Sequence, residues 1–182
     1  MKYILKLSLT LFLITGLVAA ALAGVNAVTK DRIAAVQTEK INKAITALFP
    51  ESTHVRQLAT TEYHDETGMV KAVYQANGGW AMEVRPSGFG GEITLMVGVG
   101  RTGSVTGVQV ISHAETPGLG AVAADKTSAG EAFRNSFVGK SGTLSIGDID
   151  AISSATITSQ AIVDGVNAAL NCGILQEQEA GQ

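Results

Sequence analysis

The sequence predicts an α+β protein, with one transmembrane helix at its N-terminus and then a single domain of antiparallel sheet and flanking helices. Three observations predict it. Residues 7–28 carry no charged side chain, a run about as long as the ~20 residues a membrane-spanning helix needs. Between residues 55 and 110, short apolar runs alternate with glycine turns, the pattern of strands joined by hairpins. Near the C-terminus Ile162, Val163, Val166, Ala169 and Leu170 line one helical face ahead of Gly173, a residue suited to ending a helix.

The elements follow in order. Residues 1–6 contain Lys2 and Lys6, and basic residues ahead of an apolar run hold the N-terminus in the cytoplasm and send the rest of the chain across. The expected arrangement is a single-pass protein of the cytoplasmic (inner) membrane, with its domain on the periplasmic, extracytoplasmic side. A cleaved signal peptide competes with the anchor, because Ala21-Leu22-Ala23 before Gly24 resembles a small-residue cleavage site. Either reading puts the domain outside the cytoplasm.

Ile33, Val36, Ile41, Ala44, Ile45 and Leu48 recur at helical spacing until Pro50, which predicts an amphipathic connecting helix over 29–50. The domain is expected over 51–175, with strands at 69–76, 80–84, 93–99 and 105–110 and helices at 129–138 and 158–170. Residues 176–182 form a polar tail.

Composition removes several functions. A net charge of −3 over 182 residues lacks the basic face of a nucleic-acid binder. The single cysteine, Cys172, rules out an intrachain disulfide or a multi-cysteine metal centre and reads as a buried or half-buried free thiol at a helix end. His54, His64 and His113 are too scattered for a zinc-binding spacing, and no G-x-S-x-G elbow is present. The run Gly98-Val99-Gly100-Arg101-Thr102-Gly103 spells G-x-G-x-x-G, but a strand-like run follows it where a nucleotide site needs a helix, so it reads as a hairpin turn.

Two segments carry the chemistry. His113-Ala114-Glu115-Thr116-Pro117-Gly118-Leu119-Gly120 supplies the Pro and Gly of a turn, yet a turn has no use for its Glu or its Leu. Asp150-Ala151-Ile152-Ser153-Ser154-Ala155-Thr156-Ile157-Thr158-Ser159 leads into the last helix. Its plain reading is an N-cap, but five hydroxyl residues in seven positions exceed what one cap uses. The free N–H groups and positive end of a helix N-terminus suit a phosphoryl group. Small side chains at Ser153, Ser154 and Ala155 admit it close to the backbone, and β-branched Thr156 has few rotamers with which to aim its hydroxyl.

At these two segments the chain resembles the FMN-binding G subunit of the Rnf ion-translocating electron-transport complex, and the related C subunit of the sodium-translocating NADH:quinone reductase. Its length is closer to the Rnf protein. In that family a D-x-x-S/T-G-A-T motif carries FMN on its threonine through a phosphoester. Asp150, Ser153, Ala155 and Thr156 match the motif, which implies Thr156 as the covalent attachment point; Ser154 stands where the family has glycine. The resemblance implies a cofactor-binding set of Asp150, Ser153, Ser154, Ala155, Ile157 and Thr158 around Thr156, with Glu115, Thr116, Gly118 and Leu119 beside the flavin. It implies no catalytic residue and no metal.

The resemblance further implies a flavin transferase that uses FAD, so that the Thr156 hydroxyl displaces AMP. The implied role is electron transfer among the other membrane subunits of a complex that couples ferredoxin and NAD redox chemistry to sodium or proton movement. Two alternatives stand beside it. One is an exported, membrane-tethered, flavin-free binding or assembly module, and the other a self-contained periplasmic enzyme.

Overall fold

A computed structural model describes residues 2–174, so the expected polar tail lies outside the described residues. The chain divides into residues 1–40 and residues 41–182.

The first unit is helical. Helix α1 spans Lys2–Leu48 and, among the described residues, is the one helix long and apolar enough to cross a membrane, by length and composition; none of its apolar window is buried within the protein. The apolar run and the amphipathic run therefore fall in one helix rather than two. Nothing in Thr29-Lys30-Asp31-Arg32 breaks it, since neither proline nor glycine intervenes there, and the Thr29 hydroxyl donates to the Val25 carbonyl at 2.9 Å. The helix closes ahead of Pro50, with the Phe49 N–H still bonded to the Ile45 carbonyl at 2.8 Å.

The second unit is built on a five-stranded sheet of order β1-β3-β4-β5-β6, from β1 (Arg56–Gln57), β3 (Val70–Ala76), β4 (Gly79–Val84), β5 (Thr94–Gly100) and β6 (Val105–Ser112). Every pairing is antiparallel. A separate two-stranded sheet joins β2 (Tyr63–His64) to β7 (Gly173–Ile174). The predicted strands agree with β3 to β6 to within two residues at each end. The G-x-G-x-x-G run is the β5–β6 hairpin, with the Gly100 N–H on the Ser104 carbonyl at 2.8 Å and Gly103 at φ +75°.

Period-two alternation gives the sheet two apolar faces. On one, Met82, Val84, Leu95, Val97 and Val108 pack with Ile162, Val163 and Val166 of helix α4 (Thr156–Asn171). On the other, Ala76, Ala81 and Met96 pack with Ala44, Ile45, Leu48 and Phe49. Gly107 allows this second contact to be close: a Cβ there would lie 2.7 Å from Leu48 Cδ2 and would make that side chain shift.

Between β6 and α4 run the short helix α2 (Ala121–Ala124) and α3 (Ser128–Asn135). Thr127 caps α3 by accepting from the Gly130 N–H at 3.0 Å. Buried Arg134 donates through Nη1 to the carbonyls of Ala123, Ala124 and Asp125 at 2.9–3.2 Å, satisfying the orphan acceptors at the end of α2. Phe133 and Phe137 meet edge to face at 5.3 Å beneath.

Candidate functional site

The second of the two chemistry-bearing segments starts from a pinned base. The Leu144 N–H donates to Asn167 Oδ1 and the Leu144 carbonyl accepts from Asn167 Nδ2, both at 2.8 Å, so residue 144 is held to α4. Ser145 and Asp148 then close a 3-10 turn over Ile146–Asp148. Hydrogen bonds from the Ser145 hydroxyl and N–H hold the Asp148 carboxyl below its ordinary pKa. The approach to the second segment is therefore a 3-10 turn and not a strand. Asp150 follows, exposed in a turn, and a second 3-10 turn, Ser153–Ala155, delivers the chain into α4.

Helix α4 begins at Thr156, two residues earlier than its apolar periodicity indicates. Its N-cap position is Ala155, with no side-chain cap hydrogen bond, so the hydroxyls of Ser153 and Ser154 do not cap it. Thr156 and Ile157 are exposed on the first turn, whereas Thr158 and Ser159 are buried. The Thr156 hydroxyl donates to the Ser153 carbonyl at 3.1 Å, and the bond fixes the direction of the side chain. The Ser159 hydroxyl is buried without a hydrogen-bond partner among the described residues.

The 113–120 loop is the first segment. The Leu119 N–H returns to the Thr116 carbonyl at 3.2 Å and Gly118 sits at φ +77°, so Thr116-Pro117-Gly118-Leu119 is a turn with Pro and Gly in their type II positions. Leu119 is 55% exposed. Ahead of the turn the Glu115 N–H donates to His113 Nδ1 at 3.3 Å. With Nδ1 accepting, the ring proton lies on Nε2 and faces Asp125 Oδ1 at 3.0 Å.

Glu115 itself is only 6% exposed. Its Oε1 accepts from the Gly90 N–H at 3.0 Å and its Oε2 from the Thr158 hydroxyl at 2.6 Å. The loop after β6 is thereby joined to the first turn of α4 and to the β4–β5 loop. Sequence reasoning missed that last loop, Ser87-Gly88-Phe89-Gly90-Gly91, whose Phe89 is 70% exposed. Its available signal was a lone aromatic among glycines, with no apolar period to assign it to a core.

The predicted site residues thus fall into two groups. Thr156, Ile157, Ser153, Ser154 and Asp150 are exposed at or before the start of α4, with Ala155 buried under them. Thr158 and Glu115 are bonded to each other, and Thr116, Gly118 and Leu119 are exposed on the joined loop. Phe89 and Ile157 each precede a donor to Glu115, Gly90 and Thr158 respectively, and Leu119 precedes Gly120, where a Cβ would overlap Glu115 Oε2.

These residues fit a flavin nucleotide. An uncapped helix end with an exposed hydroxyl suits the phosphoryl group, and the three exposed apolar side chains suit a flat ring system. The FMN-binding domain family matches residues 88–171, from the glycine loop to the last residue of α4, so the class defined here is an FMN-binding domain carried behind an apolar N-terminal helix. The chain is 32% identical over 183 residues to the G subunit of the ion-translocating oxidoreductase complex of Methanosarcina acetivorans, covering 97% of each chain. It is 32% identical over 185 residues to the G subunit of the Na(+)-translocating ferredoxin:NAD(+) oxidoreductase complex of Acetobacterium woodii, covering 91% of this chain and 89% of that one. It is 33% identical over 188 residues to the G subunit of the ion-translocating oxidoreductase complex of Aliivibrio fischeri, covering 91% of this chain and 88% of that one. The chain belongs to the family of G subunits of ion-translocating (Rnf) oxidoreductase complexes.

Proposed function

We propose that this chain is a membrane-anchored electron carrier that holds FMN covalently through a phosphoester on Thr156, within an Rnf-type complex coupling ferredoxin/NAD redox chemistry to sodium or proton translocation. The observation that carries the reading is the exposed Thr156 hydroxyl in the first, uncapped turn of α4. Likeness to the Acetobacterium and Methanosarcina proteins supports the partners, which are the other membrane subunits of such a complex.

Attachment is a phosphoryl transfer catalysed by a flavin transferase. The Thr156 Oγ–P bond forms at the FMN phosphorus of FAD, the pyrophosphate bond breaks, AMP leaves, and the threonine proton goes to solvent. The Ser153 carbonyl orients the hydroxyl, and the free N–H groups of the first turn of α4 stabilise negative charge on the phosphoryl oxygens. Asp150, Ser153 and Ser154 lead the chain to that point, and Ala155, buried, keeps the approach small. The bound flavin supplies reversible electron acceptance, with its potential set by noncovalent contacts. Phe89, Leu119 and Ile157 offer apolar surface that excludes water from the ring, with Thr116 and Gly118 on the adjoining turn.

Anchoring follows from the apolar run of α1, and the lysines at positions 2 and 6 support an N-terminus in the cytoplasm with the domain on the extracytoplasmic side. A covalent bond then keeps the cofactor on a domain that cytoplasmic FMN cannot readily reload. The test is co-expression with a flavin transferase: the protein stays yellow after denaturation and washing if the flavin is covalent, loses its colour on denaturation if the flavin is noncovalent, and is colourless throughout if the chain is a flavin-free module.

A further inference from the structure

The Glu115 carboxylate sits at the meeting point of three chain segments, and three glycines open the space around it. A Cβ at Gly88 would overlap Glu115 Oε1, and one at Gly120 would overlap Glu115 Oε2 and lie 2.5 Å from Thr158 Oγ1. A Cβ at Gly90 would run into the Ala114 carbonyl oxygen and stand 3.0 Å from Glu115 Cα. Side chains at these positions would hold the loops apart, so the glycines serve close approach.

A carboxylate removed from water is costly unless hydrogen-bonded, and Glu115 takes its two donors from different segments, the Gly90 N–H and the Thr158 hydroxyl. Breaking the junction strands a buried acceptor, which gives each tie leverage over two loops at once. The short helix α2 continues from Gly120, with the Ala121 N–H on the Thr116 carbonyl at 3.2 Å, so displacement of Glu115 is passed along that turn.

We infer that Glu115 is the positioning residue of the flavin platform: its buried carboxylate latches the 88–91 loop and the 115–120 loop to the first turn of α4, and so sets Phe89, Leu119 and Ile157 relative to Thr156. The inference rests on the flavin reading of Thr156. Glu115 acts through the loops, its two carboxylate oxygens being engaged by the Gly90 N–H and the Thr158 hydroxyl.

The charge is dispensable in this role and the shape is not. A glutamine can accept from the Gly90 N–H through its carbonyl oxygen while its amide donates to the Thr158 hydroxyl, which is free to turn and accept. Glu115→Gln keeps the latch and Glu115→Ala opens it.

The experiment is amide hydrogen exchange on the full chain in detergent, before and after FMN loading, for wild type, Glu115→Gln, Glu115→Ala and Thr158→Val, with visible spectra of the loaded forms. Exchange over 88–91 and 115–120 is expected to rise by about tenfold or more in Glu115→Ala, to stay near wild type in Glu115→Gln, and to leave β5 unchanged in both. In Thr158→Val, which keeps the carboxylate and cuts one tie, the rise is expected over 115–120 and the first turn of α4. The flavin absorption band should shift in Glu115→Ala and return in Glu115→Gln. Wild-type exchange in Glu115→Ala, or a Glu115→Gln variant as open as the alanine, overturns the latch. Absence of FMN from wild-type Thr156 overturns the flavin reading instead and leaves the exchange result standing. If Glu115→Ala does not fold, Thr158→Val and Glu115→Gln carry the same comparison.

Discussion

The Thr158 hydroxyl donates to Glu115 Oε2 at 2.6 Å across 43 residues of sequence, and both residues are almost fully buried. A hydroxyl-to-carboxylate bond of this length belongs to the strong, charge-assisted kind. Replacing Thr158 by valine keeps the side-chain volume and leaves a buried carboxylate oxygen without its donor. We expect a loss of about 1–3 kcal/mol, read as a lower urea midpoint with an unchanged denaturant slope.

The glycine loop gives a sharper contrast. Gly90→Ala drives a methyl group into backbone, the Ala114 carbonyl, which cannot rotate away. Gly147→Ala meets only Ser145 Oγ at 3.7 Å, which is ordinary contact. The first is expected to lower the melting temperature by several degrees, about 1–3 kcal/mol of overpacking, and the second to leave it within error. Equal melting temperatures for the two variants would contradict the close approach.

Arg134 is a buried cation that burial itself pushes below the ordinary arginine pKa, and it spends one nitrogen on three carbonyls of the α2 C-terminus. Arg134→Met fills the space but strands those acceptors. The expected cost is about 2–3 kcal/mol, with proteolytic nicking between α2 and α3 appearing first.

Cys172 closes α4, buried against the core. Burial, helped by the Asp65 charge, raises its thiol from 9.0 to about 11. A thiol that holds its proton more tightly when folded lowers stability as pH rises between those two values, because the unfolded chain ionises first. Iodoacetamide at pH 8 should therefore leave the folded protein unmodified, and Cys172→Ser should make the decline in stability between pH 9 and 11 shallower, leaving the part contributed by Tyr63 and Tyr74, whose hydroxyl pKa values burial also raises. Rapid alkylation of the native chain would contradict it.

Much of this architecture was legible because pattern and packing agree. The short apolar runs between glycine turns mark β3 to β6, with β5 buried along its whole length, and Pro50 marks the end of α1. The start of α4 was displaced because Thr156 and Ile157 form its first turn on the solvent side, where no apolar period extends. In the site, the sequence pointed to Thr156 and to the 115–120 loop through motif resemblance. It gave no sign that Glu115 turns inward, that Thr158 is its donor, or that Gly90 and Phe89 arrive from the β4–β5 loop, since those contacts exist only once the sheet has folded.

The direct test of the central claim is peptide mass spectrometry on the chain co-expressed with a flavin transferase, alongside Thr156→Ala. An FMN-minus-water adduct confined to the Thr156 peptide and absent from the variant is the result this account predicts. An unmodified Thr156 peptide, in cells where a control flavoprotein is labelled, would contradict it.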